Sequence, residues 1–140
     1  MKEITMLMIN EFKIKQLGYD FMGYSIQKGD IYTFHHLIIP RRNGGSYSRD
    51  NGAILFSTPH SYLHVIEVYD YDRFAAITSE MIDMNIKGYL DVNNLMFIDD
   101  ILTSFEKEYI NKITRKGKKL IKDNYLNRNK FKKNYTTFIR

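Results

Sequence analysis

The sequence predicts an α+β protein in which a two-stranded hairpin runs directly into a helix and further helices flank that unit. Three observations lead to this. β-branched and aromatic residues crowd positions 24–39 and 53–56. A polar loop with a Gly-Gly pair separates them. Apolar residues recur at helical spacing on both sides of this region. A hydrophobic content of 44% and an aromatic content of 14% suit a globular chain, and 140 residues suit one domain with a core of its own.

Element by element, Ile4, Leu7, Met8 and Phe12 set a helical rhythm over residues 4–17 that stops at Gly18, a left-handed cap; a strand over 4–9 is the alternative. The turn Lys28-Gly29-Asp30 opens a strand over 31–39, which Pro40 closes. Residues 41–51, with Gly44-Gly45 and Asp50-Asn51-Gly52, read as a surface loop, and 53–56 as a second strand. Ser57-Thr58-Pro59 marks a helix start, with a hydroxyl to cap free N–H groups and a proline at the first helical position; His60, Leu63, His64 and Val65 follow on that helix. Asp70 or Asp72 caps a third helix running through Met84 to a stop at Gly88. Asn93 or Asn94 caps a fourth, which carries Phe97, Ile98, Ile101, Leu102, Phe105 and Tyr109 on its apolar face. Residues 1–111 then form one domain with the hairpin–helix core at about 31–69, and residues 112–140 form a basic segment, helical or extended.

The net charge of +5 is unevenly placed. Residues 1–103 hold 9 Lys/Arg against 13 Asp/Glu, and residues 104–140 hold 12 against 3. The C-terminal end is therefore suited to an anionic partner, nucleic acid being the commonest. Lys116, Lys118 and Lys119 are candidate phosphate contacts there, and Tyr125, Phe131, Tyr135 and Phe138, interleaved among cations, are candidates for stacking on unpaired bases. There is no stretch of the ~20 apolar residues that spans a bilayer, and the first ten residues lack the pattern of a signal peptide, so a cytoplasmic protein without a membrane partner is expected. A homo-oligomer stays open.

With no cysteine in the chain, a metal would have to be held by His, Asp, Glu or Asn. All four histidines lie within about thirty residues: His35, His36, His60 and His64. On a helix, His60 and His64 at i, i+4 project from one face with Cβ atoms about 5–6 Å apart, close enough to share an ion. The hairpin delivers His35 and His36 to the start of that helix. Neighbouring strand residues point to opposite sides, so one of the pair joins the ion and the other stays free. Three imidazoles leave coordination positions open, as in catalytic sites, and a free histidine with an ordinary pKa of about 6.5 can take a proton from water.

The run Phe34-His35-His36-Leu37-Ile38-Ile39-Pro40, then Gly44-Gly45, Asp50-Asn51, Thr58-Pro59, His60 and His64, resembles the HNH motif of the ββα-metal (His-Me finger) endonucleases in the form found in colicin-type DNase domains. The likeness spans about thirty residues. It implies a ββα-metal fold around one divalent ion (Mg2+, Mn2+, Ni2+ or Zn2+) on His35, His60 and His64, and His36 as general base. Asn51 would tie down the loop, and the activity would be hydrolysis of DNA to 5′-phosphate and 3′-hydroxyl ends with little sequence specificity. Arg41, Arg42 and Arg49 on the loop are placed to clamp phosphates. One position departs: colicin-type domains carry a glutamate two residues before the first histidine, and this chain carries Thr33, so a carboxylate that would orient the site has to come from elsewhere or activity is lower. The competing expectation is a weak or inactive HNH-like metal-binding protein that binds nucleic acid or a protein partner.

Overall fold

Residues 32–36 and 52–56 are the two runs with strand-forming side chains on both sides of a turn-rich loop, and they pair. The computed structural model describes residues 1–128 and 131–132. Strands β1 (Tyr32–His36) and β2 (Gly52–Phe56) form a two-stranded antiparallel sheet with Tyr32 opposite Phe56 and His36 opposite Gly52. Helix α3 (Ser57–Tyr69) follows β2 without a linker. A hairpin alone is marginal in water. Here β2 is buried along its whole length, because helices α1 (Glu3–Glu11), α3 and α4 (Tyr71–Lys87) all pack on it. Helix α5 (Val92–Tyr109) lies against α4, and α6 (Arg115–Tyr125) against α3. The result is a mixed α+β fold, mostly helical. No helix among the described residues is long and apolar enough to cross a membrane.

Several expected boundaries shift, each for a local reason. The N-terminal helix is broken: Lys13 adopts a left-handed conformation (φ 56°), separating α1 from the single turn of α2 (Ile14–Leu17), which Gly18 caps as expected. The first strand ends at His36 instead of Ile39, because the Asn51 side chain takes the Ile38 and Ile39 amides out of the ladder, at 2.8 and 2.9 Å. The cap of α3 is not a hydroxyl acting on its own helix. Asp30, 28 residues before Thr58, accepts the Thr58 amide at 2.9 Å and both the Ser57 and Thr58 hydroxyls. Asp70 caps α4 through the Arg73 amide, and Gly88 ends it. At α5 the cap is Asp91, through the Asn93 amide, and not Asn93 or Asn94.

The C-terminal segment is helical over α6 and then turns into the core. Phe131 is fully buried and fills the hollow over Gly23, where a β-carbon would sit 2.7 Å from its ring. It is thus unavailable to stack on a base; the Tyr125 side chain, Tyr135 and Phe138 lie outside the described residues. Arg128 is buried too. Its guanidinium donates to Asp99 (2.7 Å), to both oxygens of Glu106 (2.8 and 2.9 Å), to the Tyr24 hydroxyl (3.1 Å) and to Thr103. Tyr62 also donates to Glu106. Replacing Arg128 with methionine keeps the volume but leaves buried Asp99 with Lys132 and half-buried Glu106 with Tyr62 as their remaining partners, so the urea midpoint should fall by the equivalent of about 3 kcal/mol. A loss under about 1 kcal/mol, the range of exposed pairs, would mean the cluster is solvated in solution.

Candidate metal centre

The hairpin register decides which histidine meets the helix. Side chains alternate along β1, so Thr33 and His35 share the face toward α3, and Phe34 and His36 share the other, toward the loop. On α3, the i, i+4 spacing stacks His60 and His64 with ring centres 4.8 Å apart. The His35 ring lies 5.2 Å from His60 and 5.8 Å from His64, and one nitrogen from each of the three falls within 4.8 Å of the others. These three residues can hold a metal ion.

The remaining nitrogens are spoken for in a way that aims the cluster. The Thr33 hydroxyl donates to the Leu55 carbonyl at 2.7 Å, so it can only accept from His60 Nδ1, also at 2.7 Å. That fixes the His60 tautomer with a bare Nε2. His64 Nδ1 lies 3.1 Å from Glu67 Oε1, a carboxylate that can only accept, so its Nε2 is free as well. His35 Nε2 is buried with no hydrogen-bond partner. A buried orphan nitrogen costs free energy unless something binds it, and a cation is the partner this donor set suits. Of the two alternatives at position 33, the geometry fits the one in which other groups orient the site: the threonine hydroxyl meets His60, and the Glu67 carboxylate lies beside His64.

Electrostatics favour neutral rings. Burial pushes the His35 pKa down to about 3, helped by the neighbouring His60 and His64, and burial together with His64 pushes His60 down to about 4. Neutral imidazoles present lone pairs. Thr33→Val, which keeps the shape and removes the acceptor, should lower metal affinity about 10–100-fold in a competition titration. Unchanged affinity would show that the hydroxyl does not orient His60.

His36 stands apart from the three. Its ring hydrogen-bonds the Gly45 backbone carbonyl, and since Nε2 is without a partner, the bond comes from Nδ1. Phe34 and Tyr47 flank the ring, with centres 5.0 and 4.7 Å away. Burial and the Arg41 charge lower its pKa, and the Gly45 carbonyl partly opposes them. The carbonyl is held in place by Asn51, whose buried side chain accepts from Ile38 and Ile39 and donates to the carbonyls of Ile39 (3.0 Å) and Ser46 (3.1 Å). Gly44 turns the chain at φ 83°, and Gly45 has no room for a side chain, since a β-carbon would lie 1.8 Å from the Ile39 oxygen. The Gly-Gly pair and Asn51 therefore act together to build the loop that orients His36.

All four histidines open into one cleft of about 430 Å³, together with Arg41 and Arg42 from the loop and Tyr71, Phe74, Thr78 and Ile82 from α4. Arg49 does not reach it. Its guanidinium is held by both oxygens of Glu11 at 2.7 Å and by the side chain and backbone oxygens of Asn85, so it pins the loop to α1 and α4. Lys116, Lys118 and Lys119 lie on α6 and are not among the cleft-lining residues. Residues that sequence reasoning missed are Glu67, Asn85, Asp30 and the α4 wall. Of these only Glu67, at i+3 from His64, carried a local signal. Comparison of the chain with protein-family models, with curated proteins and with solved structures finds no match to any of them.

Proposed function

We propose that this chain is a metal-dependent HNH-type endonuclease that hydrolyses DNA phosphodiester bonds, with its hairpin and α3 as the ββα-metal unit. The observation that carries the reading is the division among the four histidines of one cleft. Three bring one nitrogen each to a common point, and the fourth, His36, is oriented by the Gly45 carbonyl with an unpartnered Nε2.

His35, His60 and His64 would hold a divalent ion, which would supply Lewis-acid stabilisation of the charge that builds on the phosphate. His36 takes the proton of the attacking water at Nε2, and the lowered pKa keeps that nitrogen unprotonated at neutral pH. Asn51 keeps the loop in register, so the Gly45 carbonyl holds the His36 ring through the proton transfer. Arg41 and Arg42, exposed on the loop side, bind the phosphodiester flanking the cut. The all-imidazole shell favours zinc, nickel or another first-row ion in binding strength over magnesium, which prefers oxygen donors. The basic C-terminal quarter adds affinity without sequence readout, so binding weakens as salt rises.

The direct test is conversion of supercoiled plasmid to nicked or linear form by purified protein, with Mg2+, Mn2+, Ni2+ or Zn2+ added in turn. Cleavage should require an added ion and stop in EDTA. Metal uptake without cleavage under any ion would leave a metal-binding protein and overturn the nuclease reading.

A further inference from the structure

The cleft is asymmetric. On the loop side stand the two arginines; on the other side α4 presents Tyr71, Phe74, Ala75, Thr78, Ser79 and Ile82, without a cation. These residues recur every three or four positions along one helix face, a wall roughly 16 Å long. Both cations of α4 are engaged elsewhere: Arg73 pairs with Asp70 and Glu108, and Lys87 with Asp83 and Asp91. Within the wall, Thr78 is buried, its hydroxyl oxygen closed off from the cleft. Phe74 packs against the His35 ring at 6.1 Å and against Tyr71 at 5.7 Å, so the aromatic surface adjoins the metal cluster.

Resting on the endonuclease reading, we propose that the α4 wall is a subsite for an unpaired base beside the scissile phosphate, making single-stranded or locally melted DNA the preferred substrate. Duplex DNA carries phosphates on both strands and is held by cations. A duplex lying across this cleft would set one strand against Arg41 and Arg42 and the other against a rim that offers no cation. A single strand fits the asymmetry. Its phosphodiester meets the arginines and its base stacks on Phe74 and Tyr71.

The test compares initial cleavage rates on one oligonucleotide sequence as a single strand, as a matched duplex and as a duplex with a central mismatch bubble, at equal salt and metal. The single strand and the bubble should be cut at least about tenfold faster than the matched duplex, the effect of one base–aromatic stack. Ala75→Trp, at an exposed position of the wall, should raise KM for the single strand by about tenfold and leave zinc binding unchanged. A matched duplex cut as fast as the single strand, or Ala75→Trp with wild-type KM, overturns the subsite and leaves the nuclease reading standing. If none of the three substrates is cut, the nuclease reading falls and the subsite falls with it.

Discussion

Replacing His36 with alanine is expected to slow DNA cleavage by about 10²–10⁴-fold, the usual contribution of a positioned general base, with zinc binding and the thermal midpoint close to those of the unmodified chain. The separation of readouts follows from the geometry. His36 shares no face of β1 with His35, and its ring contacts are Phe34, Tyr47 and the Gly45 carbonyl. Its removal therefore leaves the three-histidine cluster and the sheet intact. The pH profile gives an independent check. Burial and the Arg41 charge lower the His36 pKa, so the acid limb of kcat/KM should begin below the ordinary histidine value of about 6.5. As the pH falls through that lowered value, Nε2 becomes protonated and the rate declines tenfold per unit. Arg41→Gln removes the charge that lowers it and should move the limb part of the way back toward 6.5. A cleavage rate in His36→Ala equal to wild type would remove His36 from the chemistry.

The parts of the site that were legible in the sequence are those set by short-range periodicity. His60 and His64 meet because a helix repeats every 3.6 residues, and His35 and His36 diverge because a strand repeats every two. Asn51 and the Gly-Gly pair belong to one loop of eleven residues, whose closure is a local matter. Other features depend on what packs where. Asp30 caps α3 only because the chain entering β1 runs beside the helix start. Arg49 looked free on its loop, and its partners Glu11 and Asn85 are 38 and 36 residues away. Phe131 looked like an exposed aromatic among lysines, and it is buried because Gly23 leaves a hollow of the right size. Thr33 shows the limit of motif comparison. The motif left open whether another group orients the site or activity is lower; a hydroxyl that donates to Leu55 can only accept from His60, and so orients that ring itself.

Loss of one imidazole from the cluster is the other large effect. With free zinc at about 100–1,000 times its Kd, the wild-type chain should gain about 2.7–4.1 kcal/mol of stability from binding to the folded state alone. His35→Asn should lose nearly all of that gain, because the buried ligand is the one that α3 cannot supply. Without metal the same substitution should change the response to acid. Both folded-state values, about 3 for His35 and about 4 for His60, lie below the ordinary 6.5. Between those values and 6.5 the unfolded chain binds protons that the folded chain refuses, so the histidine contribution is intact above about pH 6.5 and is lost as the pH falls. Asp20 works in the opposite direction: burial pushes its carboxyl up to about 7, against three backbone amides that pull it down, so protonation in acid relieves it. Comparing denaturant midpoints of the wild type and His35→Asn across pH 4–7 in EDTA cancels the Asp20 contribution. The mutant should lose less stability toward acid by about 1 kcal/mol per pH unit, close to the linkage limit for one imidazole. Parallel curves would mean that His35 is protonated in the folded protein as readily as in the unfolded one. That outcome would overturn the burial of the His35 ring, while the zinc titration of His35→Asn decides its part in metal binding separately.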